Sequence, residues 1–403
     1  MTRIYPLDNP IKNYDWGSHT AIAYMKGEML PTMKPQAEMW MGAHPSAPSK
    51  IISGKRIRTM SDVIADAPAE ILGPDVAEKF GDRLPFLFKI LAADKPLSIQ
   101  AHPDKTQANA GYDREEAGHI SLEDKKRSYK DRNHKPEIIC ALTEFWALNG
   151  FRDSREIIEL FDTLGLAKFS EILAGPSPDL KTFFNTLMAL SSEETKYILE
   201  ETLKNPHISD IDPDIRMWIK SLYDVRNEAG VRVNTGDIGV LSPLFLNLIK
   251  LKAGEAMYLD AGRLHAYLHG VGVELMANSD NVLRGGLTSK HRDVPELLNI
   301  LKFISHDVNV LNPEMGAGEE EIYRTDASEF QLSRITVFAD KSWRSSDRRN
   351  IEILVCLDGF GHIQAEPDGE PVQLRKGSSV MIPASLPRYR LTGPLEVYKA
   401  TVP

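Results

Sequence analysis

The spacing of apolar residues changes twice along the chain. From residue 1 to about 150, short apolar stretches alternate with polar positions. Pro6, Pro10, Gly17, Pro31, Pro35, Gly42, Pro45 and Pro48 break them up, a pattern of short strands and loops. One helix is predicted within TMSDVIADAPAEILG, with Ser61 as its N-cap. After Gly150 the apolar positions recur at helical spacing in SREIIELFDTLGL, DLKTFFNTLMAL, SEETKYILEETLKN and DIRMWIKSLYDVRNEAG, whose starts carry Ser or Asp caps. These mark a helical block over 151–238. Strand spacing returns in DIGVLSPLFLNLIKLKAGEAMYLDAGRLHAYLHGVGVELM, a further helix is predicted at DVPELLNILKF, and from about 325 onward the text is strand-like again. The acidic EMGAGEEEIYRTDASEF reads as a connecting loop.

The tail carries an internal repeat. LKAGEAMYLDAGRLHAYLHG aligns without a gap on LRKGSSVMIPASLPRYRLTG, matching Leu251 to Leu374, Gly254 to Gly377, Ala261 to Ala384, Leu268 to Leu391 and Gly270 to Gly393. Each copy reads as strand, glycine turn, apolar strand, small-residue turn, strand, a recurring piece of a small β-barrel or jelly roll. Two copies predict two related barrels. His265 aligns with Arg388, so a metal held by the first copy would be absent from the second.

The same alternation exposes candidate chemistry. In PLSIQAHPDKTQ, Leu97, Ile99 and Ala101 share one strand face and Ser98, Gln100 and His102 the other. In KPEIICAL, Lys135 and Glu137 share a face while Ile138 and Cys140 belong to the core. In AGRLHAYLHGVGVELM, His265 pairs with Tyr267, and Glu274 lies opposite the Val271, Val273, Leu275 row. Two imidazoles, a carboxylate and an amide oxygen (Gln100, His102, Glu137, His265) suit a borderline divalent ion such as Zn²⁺. The His-x-His pair of a simple cupin barrel is replaced by Gln-x-His. The plain alternatives are a wet strand face and a surface ion pair.

Composition narrows the field. The 403 residues are 42% hydrophobic and 26% charged, as in an ordinary globular protein, and the net charge of −9 argues against nucleic acid or an anionic membrane surface as partner. Cys140 and Cys356 are the only cysteines, which predicts a reducing compartment. No signal-peptide h-region and no apolar run of about 18 residues is present, so a cytoplasmic location is expected.

YDWGS, AEMWMGAHPSAPS, LPFLFKILAADKPLSIQAHPDK, NHKPE, AGRLHAYLHG and SDNVLRGGLTSKHRDV, spanning residue 14 to about 294, resemble in order the blocks of type I mannose-6-phosphate isomerases (phosphomannose isomerases). The resemblance implies a mainly β fold of the cupin superfamily with a helical insertion: two jelly-roll domains plus an α-helical domain. A discontinuous catalytic cupin would cover 1–150 and 239–310, the helical insertion 151–238, and a metal-free cupin 311–403. It implies a zinc enzyme that interconverts mannose 6-phosphate and fructose 6-phosphate through an enediol-type proton transfer, feeding GDP-mannose metabolism. One Zn²⁺ per chain would be held by Gln100, His102, Glu137 and His265. Arg284 matches the family's catalytic arginine, and Lys89, Ser98, Lys135 and Glu274 match pocket positions. Arg284 would stabilise the developing oxyanion, Lys135 and Glu274 are both candidates for the base, and Lys89 and Ser98 are candidates for the phosphate. Trp16, Trp40 and Tyr267 would wall the sugar. His44, before a proline in a turn-like stretch, and His119, His134, His269, His291 and His362, which lack convincing partners, are all read as structural or surface residues. A monomer with a small sugar phosphate as its only partner is expected. A metal-dependent cupin dioxygenase and a non-catalytic sugar-phosphate sensor are the competing readings. Glutamine as a ligand speaks against the first, and the presence of Lys135, Glu137 and Arg284 against the second.

Overall fold

The alternation along the chain resolves into two sheets of antiparallel ladders. The computed structural model describes residues 3–53, 56–227, 229–305 and 307–403. The first sheet has ten strands, ordered Leu246–Leu251, Phe145–Phe151, His265–Ala277, Phe86–Ala93, Glu38–Met41 and Ile11–Lys12. Ala256–Leu259, Glu137–Ala141, Ile99–Ala101 and Leu283–Gly286 pair off this path. The second has twelve. Its path runs from Glu314–Met315 through Glu320–Tyr323, Gln331–Val337, Leu395–Thr401, Glu352–Glu366 and Ser379–Ile382 to the N-terminal strands Tyr5–Asp8, Lys50–Ser53 and Arg56–Thr59.

Side-chain alternation in Phe86–Ala93 explains how the layers stack. The strand is buried throughout. Phe86, Phe88, Ile90 and Ala92 enter a core shared with Ile353, Val355 and Met381 of the second sheet. Leu91 and Ala93 face the other way, onto Ile139, Phe145 and Tyr267. With period 2, Lys89 must point to that second side, into the first sheet's own interior. The interior of the second sheet is a separate cluster around Ile335, Leu354, Ile363, Leu391 and Val397.

The helices of the central block form as their caps and stripes require. Asp153, Asp179, Ser191 and Asp212 accept backbone N–H groups at the starts of Ser154–Thr163, Leu180–Met188, Ser192–Lys204 and Pro213–Tyr223. Their apolar faces bury Phe161, Phe183, Phe184 and Trp218 against Phe151 and Phe245, each large side chain stabilising the packing by roughly 2–3 kcal/mol. No helix among the described residues is long and apolar enough to cross a membrane.

Several expectations are corrected. The helix in TMSDVIADAPAEILG is capped by Thr59 in a reciprocal box with Asp62, not by Ser61, whose hydroxyl donates to the Ala43 carbonyl at 3.2 Å. Pro68 starts a new helix there, Pro68–Leu72, because it cannot continue the preceding hydrogen-bond ladder. Lys105–Ala117 is a helix where loop was expected. Only Ala108, Gly111 and Glu115 are buried, so it carries no apolar stripe. Its signal was the capping pair Asp104 and Gln107. The acidic segment read as a loop contributes Glu314–Met315 and Glu320–Tyr323 to the second sheet. The strand in PLSIQAHPDKTQ is only Ile99–Ala101.

The repeat is structural. Ala256–Leu259 and Ser379–Ile382 occupy the same place in the two copies, as do the strand starts His265 and Arg388. The matched glycines Gly254, Gly377, Gly270 and Gly393 all have positive φ, of 90°, 83°, 124° and 95°, a conformation that a side chain disfavours.

Candidate active site and metal centre

Strand register assembles the site. Gln100 lies opposite His265 on one side and opposite Arg284 on the other. Cross-strand partners present their side chains to the same face, so three distant stretches of sequence form one row. Glu137 opens its strand opposite Met276 and Leu259. Two residues before Met276, Glu274 lies opposite Lys89, and Lys89 lies opposite Trp40.

The donor atoms of His102, Glu137 and His265 lie within 4.8 Å of one another. Glu137 Oε1 is 3.4 Å from His102 Nε2, and Oε2 is 3.3 Å from His265 Nε2. His102 Nδ1 is 2.7 Å from the Asn281 carbonyl and His265 Nδ1 is 3.1 Å from that of Arg263. A carbonyl only accepts, so each Nδ1 carries the proton and each Nε2 turns a lone pair inward. Both Nε2 atoms and Glu137 Oε2 are buried without a hydrogen-bond partner. Three converging buried acceptors are costly unless a cation meets them, so the set fits one metal ion. Burial and the neighbouring Lys135 push His102 down to about 4, against the pull of Glu137. The ring is therefore in the neutral form that coordination needs. Burial opposes ionisation of Glu137, but Lys135 and the imidazoles outweigh it and hold the carboxyl well below its usual range. Gln100, half-buried, presents its amide on the same face.

These groups open onto a cleft of about 1380 Å³ lined by Gln100, Lys135, Glu137, Glu274 and Arg284, with Trp16, Trp40, Lys89, Ser98 and Tyr267 around them. Ten of the twelve residues singled out from sequence for the site therefore line one cleft, and the other two, His102 and His265, lie against Glu137. Lys135 Nζ is 3.3 Å from Glu137 Oε1. Lys89 is buried, its ammonium 2.6 Å from Glu274 and 3.8 Å from Glu38. Burial raises the Glu274 carboxyl, only partly offset by Lys89. Arg284 is different: half-buried, with no carboxylate partner among the described residues, it is lowered by burial alone. Lys290, also lining the cleft, is lowered by burial and by the positive charge of Arg284. Two cations in one cleft, neither with a carboxylate partner among the described residues, mark a place for an anion.

Sequence reasoning missed Lys290, Glu38 and Asn281. The Asn281 side chain is fully buried. Its amide donates to the carbonyls of Asp131 and Asn133 at 2.8 Å each and accepts from the N–H groups of Lys130 and Asp131 at 2.7 and 3.1 Å. One residue thus ties the segment leading to Lys135 and Glu137 to the backbone that holds His102 and to the strand carrying Arg284. One histidine expected to lack a partner has one, and His44, read as structural, is held in place. His134 meets Glu329 at 2.7 Å, and His44 meets Ser46 at 2.9 Å and Asp280 at 3.3 Å. Cys140 is core, as expected, its thiol pushed up to about 11 by burial.

Residues 4–154 match the family model for the phosphomannose isomerase type I catalytic domain. Mannose-6-phosphate isomerase of Escherichia coli (strain K12) is 37% identical over 384 residues, covering 94% of each chain. The chain belongs to the type I phosphomannose isomerase family. A more distant relative, mannose-6-phosphate isomerase 2 of Arabidopsis thaliana, is 31% identical over 96% of this chain and 90% of its own. Among solved phosphomannose isomerases, a single-residue mutant of the Salmonella typhimurium protein superposes with a TM-score of 0.89 at 33% identity, covering 99% of both chains. A zinc-bound mannose 6-phosphate isomerase gives the same score, identity and coverage.

Proposed function

We propose that this phosphomannose isomerase interconverts mannose 6-phosphate and fructose 6-phosphate with one Zn²⁺, through an enediol-type proton transfer. The observation that carries the reading is one cleft that brings three unsatisfied buried acceptors together with two cations that have no carboxylate partner among the described residues. The acceptors His102 Nε2, Glu137 Oε2 and His265 Nε2 would hold the zinc, with Gln100 as the fourth donor. Bound there, zinc would supply a fixed positive charge that polarises the sugar's carbonyl oxygen.

The chain's own residues would do the rest. Arg284, permanently charged and partly desolvated, faces the oxyanion that develops as the proton leaves. Glu274 is the base in this reading. Burial raises its pKa toward working pH, which suits proton exchange, and Lys89 fixes its orientation from 2.6 Å. Lys135, bound to Glu137, steadies that ligand and adds positive charge beside the substrate oxygens. Because Lys89 is committed to Glu274 and Glu38, the phosphate falls to Lys290 and Ser98 beside Arg284. Trp16, Trp40 and Tyr267 wall the sugar. We further infer two cupin barrels, residues 1–150 with 239–310 and residues 311–403, flanking the helical block 151–238, in a cytoplasmic monomer that supplies mannose 6-phosphate chemistry to GDP-mannose synthesis.

The test is conversion of mannose 6-phosphate in deuterated water. Wild type should isomerise it and exchange the carbon-bound hydrogen. Glu274→Gln should bind substrate yet lose exchange by at least 10²-fold, as expected for a missing general base. A folded, zinc-loaded wild-type sample that converts nothing overturns the reaction, and full exchange in Glu274→Gln overturns the choice of base.

A further inference from the structure

Five strands of the first sheet, Glu38–Met41, Phe86–Ala93, His265–Ala277, Glu137–Ala141 and Ala256–Leu259, pair in the same succession as five of the second: Glu320–Tyr323, Gln331–Val337, Leu395–Thr401, Glu352–Glu366 and Ser379–Ile382. Register then matches individual residues. Glu137 lies opposite Leu259, and Glu352 lies opposite Ile382, the repeat partner of Leu259. Glu274 sits two residues before the residue facing Glu137, and Lys399 two before the residue facing Glu352. Opposite Glu274 is Lys89, and opposite Lys399 is Ser333. Glu38 corresponds in the same way to Glu320. The second sheet has kept a polar interior at the positions that build the active site, with the lysine moved to the neighbouring strand.

That interior is enclosed and electrically balanced. Lys399 Nζ lies 3.0 Å from Glu320 and 3.2 Å from Glu352, and Arg349 lies 3.5 Å from Glu352. Trp343 packs against Tyr389 at 5.7 Å between ring centres, with Lys399 5.6 Å from the Trp343 ring and Arg349 5.4 Å from that of Tyr389. Two cations offset two carboxylates, so an ionic guest has nothing to pair with. No imidazole among the described residues joins these groups to serve a metal. Arg388, at the His265 position, is turned outward to Asp347. Yet Ser333 Oγ, Trp343 Nε1, Arg349 Nε and Arg349 Nη1 are buried with no hydrogen-bond partner, and so are Glu320 Oε1, Glu352 Oε2 and the Tyr389 hydroxyl. Buried donors left unmet are costly, and in native interiors an oxygen acceptor usually meets them.

We propose that the second sheet holds a second binding chamber, related to the active site by the internal repeat, that takes a neutral hydroxyl-bearing guest: water or a small polyol. The guest accepts from Trp343 and Arg349 and donates to the Ser333 hydroxyl oxygen and to a carboxylate oxygen of Glu352 or Glu320. It requires two to four polar partners in a polar pocket, which these groups supply.

Trp343 is one of five tryptophans, so its indole N–H can be followed in the intact ¹⁵N-labelled protein and assigned by Trp343→Phe. The expected result is a water cross-peak at the Trp343 indole N–H. A crystal structure grown without polyol should show an ordered oxygen bridging Ser333 Oγ, Trp343 Nε1 and Arg349 Nε. Added glycerol separates the two sources: loss of the cross-peak with glycerol density in the chamber identifies a polyol guest, and an unchanged cross-peak identifies water. Trp343→Phe should leave kcat and KM for mannose 6-phosphate unchanged, since the chamber lies outside the catalytic cleft. No water cross-peak, together with a crystal structure in which the three groups are met by protein partners, overturns the proposal.

Discussion

Replacing Asn281 with alanine is expected to loosen the metal centre without touching a ligand. The substitution deletes four hydrogen bonds to the main chain of residues 130–133, two at 2.8 Å and two at 2.7 and 3.1 Å. Lys130, Asp131 and Asn133 are half-buried, so water can reach part of what is exposed. At about 1 kcal/mol net per hydrogen bond the loss is ~4 kcal/mol. For a chain of 403 residues the unfolding entropy is roughly 0.8 kcal/mol/K, and Tm should fall by ~5 °C. The Asn281 carbonyl still accepts from His102 Nδ1, but the segment bearing Lys135 and Glu137 is no longer tied to it. Loss of such an outer support weakens metal affinity by about 10–100-fold. Thermal unfolding of the zinc-loaded protein gives the first quantity, and zinc titration against a fluorescent chelator the second. Asn281→Asp should be worse than alanine, because it turns a carboxylate toward two carbonyls. A Tm within 1 °C of wild type and unchanged zinc affinity would refute the reasoning.

Lys89→Met should cost roughly 3–5 kcal/mol at neutral pH by leaving Glu274 and Glu38 buried without their cation. Burial already raises Glu274. Its contribution to stability is therefore greatest below the ordinary carboxylate range and is lost as pH rises through the folded value. Urea midpoints for this variant should be higher at pH 5 than at pH 8, and the opposite order would show that Glu274 does not stay buried. Chelation should abolish conversion and lower Tm, both restored by zinc. Glu137→Gln should not be rescued by zinc, and recovery at ordinary zinc concentrations would remove Glu137 from the ligand set. Lys290→Ala should raise KM for mannose 6-phosphate about 10-fold, the loss of one charge-assisted contact, with a smaller effect on kcat. A change confined to kcat would move the phosphate elsewhere.

What was legible in the sequence followed periodicity. Strands and amphipathic helices announce themselves because one face is buried, and the four capped helices between Ser154 and Tyr223 formed where their stripes and caps required. Lys105–Ala117 escaped because it lies on the surface with almost nothing to bury, leaving a capping box as its only mark. The acidic strand around Glu320 escaped because its charge is neutralised by Lys399, far along the chain. Residue types and resemblance picked out the candidate metal ligands, but only register explains why Gln100, His265 and Arg284 form a row. Asn281 could not be ranked from sequence, because its importance lies in four hydrogen bonds to backbone that any residue could have provided. Lys89 shows the limit from the other side. Its type suggested a phosphate ligand, while the two carboxylates that claim it come from other strands.

The Tyr5–Asp8 strand is seated against Ser379–Ile382, with Tyr5 opposite Met381. During synthesis Tyr5–Asp8 must therefore wait for a partner made much later, its other edge joined meanwhile to Lys50–Ser53. His102, Glu137 and His265 all emerge long before that closure. The cleft can therefore assemble while the second sheet is still open, and loss of Ser379–Ile382 would leave Tyr5–Asp8 with an unpaired edge, the kind of surface on which chains aggregate.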